Sequence, residues 1–145
     1  MGDIRKIKRD ERRKYDLIGS VYSPALKENV KFTAQGFHHL THKKDATGKQ
    51  RPRKIAEQYL KLSILKYAPV VVAKCKKAEA VRYLEKNVKG KTKNVIHYAL
   101  VYMVSTNVQV RVIIEKTGNG APKFLSVMPH DKKSKSTKKR PYRRS

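Results

Sequence analysis

The sequence predicts an α+β fold, with helices first and an antiparallel β-sheet after them. The main observation is a series of three strand-like segments, at residues 95–104, 108–114 and 124–128. They are rich in Val, Ile and Tyr, which suit a pleated, half-buried surface. The short polar connections between them, residues 105–107 and 117–120, favour an antiparallel meander. The third observation is that apolar residues recur at helical spacing upstream of the meander.

The two ends of the chain are strongly basic. Residues 1–14 carry seven Lys and Arg, and Ile4 and Ile7 are their only sizeable apolar side chains. We expect this arm to be disordered, or helical only on a polyanion. Residues 131–145 carry eight Lys and Arg and no aliphatic side chain, which predicts a disordered polybasic tail. Residues 15–130 are predicted to form a single α+β domain.

The first helix is predicted at residues 34–42. Thr33 is a suitable N-cap, and residues 30–32 before it fit a short edge strand. Phe37 and Leu40 lie three residues apart, so both are expected on the face that packs against the core.

A second helix is predicted after a loop at residues 43–51. Pro52 suits its first turn, and apolar residues at helical spacing continue to about Tyr67. Pro69 is expected to stop this helix, and residues 70–73 then predict a short buried strand. Residues 78–87 fit either a helix or a strand, and we favour the strand.

The meander is predicted to have one apolar face and one polar face. On the middle strand the apolar side chains alternate at Val108, Val110, Val112 and Ile114. On the last strand Leu125 and Val127 are expected to share the apolar face. The polar face then gathers Arg111, Ser126 and His130.

The net charge of +25 is far larger than solubility requires. Self-repulsion of this size favours a polyanionic partner, with nucleic acid first, an anionic membrane surface second and an acidic protein third. The chain has 36 Lys and Arg against 11 Asp and Glu, and 21 of the basic residues lie between Tyr15 and His130. The predicted domain is therefore basic in itself.

Two groups of basic residues are candidate nucleic-acid contacts. The first comprises Lys43, Lys44, Lys49, Arg51, Arg53 and Lys54, and the second comprises Lys74, Lys76 and Lys77. Together with eight tyrosines they could supply phosphate contacts and stacking surfaces. Each group alone is equally typical of a solvated face.

Several classes of protein are disfavoured. Cys75 is the single cysteine, so no intrachain disulfide can form and a reducing, cytoplasmic location is expected. No apolar run approaches a membrane span, and the start lacks the apolar core of a signal peptide. Phosphate loops, dinucleotide fingerprints and paired acids are missing, so we predict no cofactor and no metal site.

Four histidines could converge: His38, His39 and His42 on the first helix, and His130 after the last strand. Imidazole ionises nearest to neutral pH, so two of them could act as base and acid in phosphoryl transfer. Zinc binding and a solvent-facing polar surface are the alternative interpretations. His97 alternates within a strand and is interpreted as structural.

Arg111 and Ser126 are the other candidate site residues. Arg111 could hold a phosphate through its fork of donors, or pair with an acid such as Glu115. Ser126 could donate a hydrogen bond to a phosphate oxygen, or bond to nearby backbone. The motifs of serine nucleophiles are lacking.

The order of these parts resembles the barnase–EndoU–colicin–RelE-like ribonucleases, in particular their phage-borne and polymorphic-toxin branches. The resemblance covers residues 30–130 and rests on residues 30–33, Gly36, residues 38–42, 66–69, 70–72, 108–115 and 124–130. Members similar to this chain often carry a basic residue directly before a histidine. Here Thr41 precedes His42, which leaves open which helix histidine matches.

The resemblance implies helices packed on a curved antiparallel sheet, RNA as substrate, and metal-independent cleavage by the 2′-hydroxyl. On this basis His39 or His42 would act as base or acid with His130, while Arg111 clamps the phosphate and Ser126 donates to it. DNA would resist because it lacks the nucleophile. A toxin or phage effector with an acidic inhibitor or antitoxin is the implied setting.

Two other functions fit the same charge. One is a non-catalytic nucleic-acid-binding protein, either ribosome-associated or phage-encoded, which needs no special histidines. The other is a basic interaction protein that binds an acidic partner.

Overall fold

The computed structural model describes residues 3–130, and in this range the predicted α+β fold is confirmed. The predicted polybasic tail lies outside the described residues. The elements are α1 (Ile4–Asp16), β1 (Ser20–Ser23), β2 (Glu28–Lys31), α2 (Ala34–Thr41), β3 (His42–Lys44), β4 (Gln50–Pro52), α3 (Ile55–Ile64), a short 3₁₀ helix (Leu65–Tyr67), α4 (Ala68–Lys74), β5 (Ala80–Val88), β6 (Lys91–Ser105), β7 (Val108–Thr117) and β8 (Lys123–Pro129).

Six strands form one mixed sheet in the order β1-β2-β8-β7-β6-β5, and β3 and β4 form a separate two-stranded sheet. Strands β5 to β8 pair antiparallel, so the predicted meander and the strand favoured at residues 78–87 are confirmed. The sheet is not antiparallel throughout, because Lys31 of β2 pairs in parallel with Lys123 of β8. Strand β2 is not an edge strand, since β1 pairs on its outer side.

Helix α1 replaces the disordered arm that we expected at residues 1–14. Its N-cap is Asp3, whose carboxylate accepts a hydrogen bond from the backbone of Arg5 at 2.9 Å. Ile4 and Ile7 pack against the core, and Tyr15 is fully buried. The predicted boundary at residue 15 therefore falls inside a packed helix.

The hydrophobic core lies between the helices and one face of the sheet. Val110, Val112 and Ile114 are fully buried on that face, which confirms the face assignment of β7. Val108 is 37% exposed at the start of the strand. Burying three branched side chains on one face stabilises the domain by several kcal/mol, at about 1.5–3 kcal/mol each.

A β-bulge corrects the prediction for β8. Ile113 pairs with Ser126, whereas the next residue, Ile114, pairs with Phe124, so Leu125 is the extra residue. Phe124, rather than Leu125, joins Val127 in the core. Ser126 keeps its predicted position on the opposite face.

Helix α2 was predicted from local signals, except that His42, expected at its end, begins β3. Thr33 caps it by accepting a hydrogen bond from the backbone of Gly36 at 3.4 Å, and Phe37 and Leu40 are buried. Gly36 lies against β8: a Cβ atom there would be 2.5 Å from the carbonyl oxygen of Phe124. The glycine therefore allows α2 to approach the sheet closely.

Three predictions between α2 and β5 were wrong. The expected loop at residues 43–51 contains most of the β3–β4 hairpin. Pro52 ends β4, and α3 starts at Ile55. Pro69 lies in the first turn of α4, where a missing N–H costs nothing, so residues 70–73 are helical rather than extended. None of the helices in residues 3–130 is long and apolar enough to cross a membrane.

Candidate active site

The face of the sheet opposite the core, called the open face below, brings together polar residues from four strands. Cross-strand register sets two adjacent rows on it. The polar row is Arg82, His97 and Glu115. The second row is Ala80, Ala99, Ile113 and Ser126, and it is called the small-residue row after its two alanines and its serine. Because side chains alternate along each strand, all of these residues point to the same side.

His97 and Glu115 are the tightest pair on the open face. Nε2 of His97 lies 2.8 Å from Oε2 of Glu115, and Nζ of Lys86 lies 3.4 Å from the same oxygen. Burial raises the pKa of Glu115, but the hydrogen bond to His97 and the charge of Lys86 outweigh it, so the net pKa is below its usual value. The ionised carboxylate accepts the Nε2 proton, which leaves Nδ1 of His97 available.

His39 lies on α2 and is partly buried. Burial is the main cause that lowers its pKa below the ordinary value, and the neighbouring His38 adds to it. The charge of Glu115 raises the pKa of His39, whereas the charges of Lys86 and Arg53 lower it. The imidazole is therefore neutral at pH 7 and can accept a proton.

Arg53 holds the backbone of His39 in place. Its Nε donates to the carbonyl oxygen of His39 at 2.9 Å, and its Nη1 lies 3.1 Å from Oε2 of Glu57. We predicted Arg53 as a nucleic-acid contact, but its guanidinium is largely buried and engaged within the protein. Its structural role is to fix the end of α2 relative to α3.

Lys61 was missed by the sequence reasoning. It is only 8% exposed on α3, and its Nζ donates to the carbonyl oxygen of Val127 at 3.0 Å. A longer contact of 3.5 Å joins the same Nζ to Oγ of Ser126. Burial lowers the pKa of Lys61, and the charge of Arg53 contributes. A cation and a hydroxyl donor thus lie together beside β8.

His42 lies in a different environment from His39. Its ring stacks on that of His38, with centroids 4.1 Å apart, and Nδ1 lies 2.9 Å from Oγ1 of Thr41. Burial lowers the pKa of His42, and the charges of His38 and of Lys8 on α1 add to this. The structure therefore groups His42 with His38 and α1, whereas Glu115 influences the pKa of His39.

His130 lies at the far end of β8 from this site. It follows Ser126 by four residues, a separation of about 13 Å along a strand. Its Nε2 is buried without a hydrogen-bond partner, and the nearest carboxylate oxygen, on Glu79, is 3.7 Å away. Glu79 also lies 3.1 Å from Nη1 of Arg111. The acid that pairs with Arg111 is therefore Glu79, not Glu115, and His130 joins Arg111 rather than His39.

Two hairpins carry basic residues directly opposite each other. In the β5–β6 hairpin, residues 85–94 extend beyond the end of β7, and Lys86 lies directly opposite Lys93. In the β3–β4 hairpin, Lys43 lies opposite Arg51. Like charges directly opposite each other destabilise a strand pair, although Lys86 and Arg51 are each also paired with an acid, Glu115 and Asp45. An anionic partner would relieve the repulsion that remains.

The other predicted basic residues are also on the surface. Lys44, Lys49, Lys54, Lys74, Lys76 and Lys77 are all exposed. Arg51 lies 2.9 Å from Asp45, which orders the β3–β4 turn by accepting hydrogen bonds from Thr47 and Lys49.

Signals for the missed residues were present in part. The alternation along β6 puts His97 on the same face as Val95 and Ala99. The register between β6 and β7 then places Glu115 directly opposite His97. Among residues 3–130, no three His, Cys, Asp or Glu side chains are grouped so that they could hold a metal ion. Comparison with family models, with curated proteins and with solved structures gives no match.

Proposed function

We propose that this chain is a metal-independent endoribonuclease that cleaves RNA by attack of a 2′-hydroxyl on the adjacent phosphate. The observation that supports this most is the position of Glu115. Its carboxylate is hydrogen-bonded to His97, and its charge raises the pKa of His39, so one carboxylate influences two imidazoles. Paired imidazoles can supply the base and the acid that this reaction needs.

The proposed proton path uses both histidines. Neutral His39 accepts the proton of the 2′-hydroxyl as the 2′-oxygen forms a bond to phosphorus. The bond from phosphorus to the 5′-oxygen breaks, and the imidazolium form of His97 donates its Nδ1 proton to that oxygen, which leaves neutral His97 with its proton on Nε2. Glu115 keeps Nε2 of His97 occupied and stabilises the imidazolium charge. The products are a 2′,3′-cyclic phosphate and a 5′-hydroxyl.

Charge stabilisation of the phosphate is assigned to Lys61, Ser126 and the arginines of the open face. Lys61 donates to Ser126, so the hydroxyl proton of Ser126 is free to bond a phosphate oxygen. Arg82 and Arg111 lie on either side of the small-residue row and can donate hydrogen bonds to the non-bridging phosphate oxygens. Donors fixed in a partly buried site stabilise developing negative charge better than water does.

The direct assay is incubation of labelled RNA with the protein in excess EDTA. We expect cleavage with 2′,3′-cyclic phosphate ends, no effect of the chelator, and no cleavage of DNA. A substrate with one 2′-deoxy sugar should resist at that position only. Cleavage of the deoxy position, or loss of activity in EDTA, would contradict the proposed chemistry.

A second candidate function is non-catalytic binding to nucleic acid. The observation that favours it is the pair of hairpins with opposed basic residues, Lys86 with Lys93 and Lys43 with Arg51. This function predicts tight, salt-sensitive RNA binding with no cleavage in the same assay.

A further inference from the structure

The open face contains a depression of about 170 Å³ beside His97. Its floor comes from Ala80, Ala99 and Ile113, which are neighbours in cross-strand register. Its walls are formed by His97 and two arginines, Arg82 and Arg111. The floor is apolar, whereas the walls are polar and basic.

The depression results from two small residues placed opposite each other. Alanine is disfavoured in strands because it offers little side chain to pack. Ala80 and Ala99 nevertheless face each other on β5 and β6. Their neighbours on the same face, Arg82 and His97, are large, so the two alanines leave a gap beside them on two adjacent strands.

The size and lining of the gap restrict its occupant. Pockets that bury drug-sized ligands have volumes of about 300–1,000 Å³, so this depression holds a single ring system rather than a whole nucleotide. An apolar floor suits the face of a flat ring, and guanidinium planes stack on nucleobases. Arg111 is held in its wall position by Glu79 at 3.1 Å.

We propose that this depression is a nucleobase subsite that receives the base of a nucleotide adjoining the cleaved phosphate. The location next to cleavage rests on the proposed function, because His97 lines the depression and also belongs to the proposed catalytic pair. A base can enter only when it is unstacked, so the subsite selects single-stranded RNA or loops. Ala80 and Ala99 set its depth.

The test follows the methyl groups of Ala80 and Ala99 by NMR in the full-length protein. The probes are the four nucleoside 3′-monophosphates, and ribose 5-phosphate serves as the ligand without a base. We expect ring-current shifts at both methyl groups with the nucleotides and none with ribose 5-phosphate. Ala73, exposed on α4, is the internal control and should not respond.

A matched pair of variants tests the same subsite. Ala99→Leu fills the depression, and Ala73→Leu makes the same change elsewhere. We expect nucleotide affinity to fall about 5- to 150-fold in Ala99→Leu, the range for losing one base-stacking contact, and to stay unchanged in Ala73→Leu. If Ala99→Leu does not fold, Ala80→Leu replaces it, because Ala80 is exposed and a larger side chain there should not disturb the core.

The two proposals fail in different ways. Base-dependent shifts at Ala80 and Ala99 without RNA cleavage would support the subsite and overturn the nuclease. Cleavage of RNA without those shifts, or shifts equal to those caused by ribose 5-phosphate, would overturn the subsite alone. Unchanged nucleotide affinity in the filled variant would also overturn it.

Discussion

The Nε2 atom of His97 lies 2.8 Å from the Oε2 atom of Glu115, its direct cross-strand neighbour on β7. The same carboxylate raises the pKa of His39 on α2. One acidic side chain thus orients one imidazole and adjusts the proton affinity of another. This relationship depends on the register between β6 and β7, since a slip by one residue would turn His97 to the other face.

Glu115→Gln should lower the pKa of His39 further. Glu115 raises that pKa against burial, so removing its charge leaves the lowering effects unopposed. Lys86→Ala should act in the opposite direction, because the Lys86 cation lowers the pKa of His39. Histidine NMR titrations of the parent and both variants would measure this.

The lowered pKa of His39 predicts the direction of a pH effect on cleavage. A lowered pKa keeps His39 neutral to lower pH, so the acid limb of kcat/KM should lie below pH 6.5. In Glu115→Gln the limb should move to still lower pH. A limb at or above pH 6.5 in the parent would contradict the assignment of His39 as the base.

Lys93→Gln should stabilise the protein while weakening its binding to RNA. The substitution removes repulsion from Lys86 directly opposite, which is worth about 0.2–1 kcal/mol in the free energy of unfolding. If Lys93 contacts a phosphate, the slope of log K against log salt should also fall by about 0.7. Salt titrations of binding and urea denaturation measure the two effects.

Lys116→Gln is the control for that experiment. Nζ of Lys116 lies 2.7 Å from Oε2 of Glu28, so its charge is already balanced within the protein. Its removal should leave the salt slope unchanged and should not raise stability. If both lysine variants changed RNA binding equally, the β5–β6 hairpin would not be a specific contact surface.

Gly36→Ala should destabilise the domain despite the better helix propensity of alanine. The new Cβ would meet the carbonyl oxygen of Phe124 at 2.5 Å, and backbone cannot move aside as a side chain can. Overpacking of this kind costs about 1–3 kcal/mol in the free energy of unfolding. Gln35→Ala, exposed on the same helix, should be neutral or slightly stabilising in the same urea titration. A Gly36→Ala variant as stable as the parent would mean that α2 does not lie this close to β8.

Elements with strong local signals could be predicted from the sequence. The alternation through Val110, Val112 and Ile114 gave the buried face of β7, because any slip would bury Arg111. Thr33 marked the start of α2, since its side chain satisfies a backbone donor that the helix cannot.

Helix α4 shows why a prediction from only a few neighbouring residues was wrong. Three successive valines at residues 70–72 favour a strand by propensity alone. Over a longer window, Ala68, Val71, Val72 and Cys75 are buried at helical spacing, and packing of that face decides the conformation. Helix α1 has a similar pattern in Ile4, Ile7 and Tyr15.

The candidate site was only partly predictable because it depends on tertiary packing. The sequence predicted one helix for His38, His39 and His42, but it did not predict which side of α2 packs against the sheet. Lys61 occupies an inward helical position, where a lysine is rare unless its ammonium has a partner such as the carbonyl oxygen of Val127.

The most direct test of the account compares two adjacent histidines of α2. His39 is half-buried, whereas His38 is exposed and stacks on His42. RNA cleavage by His39→Ala and His38→Ala should be measured in EDTA, with melting temperatures to confirm folding. We expect His39→Ala to lower kcat/KM by about 10²–10⁴-fold, as for loss of a general base, and His38→Ala to retain parental cleavage. Full activity of a folded His39→Ala variant, or an equal loss in both variants, would contradict the account.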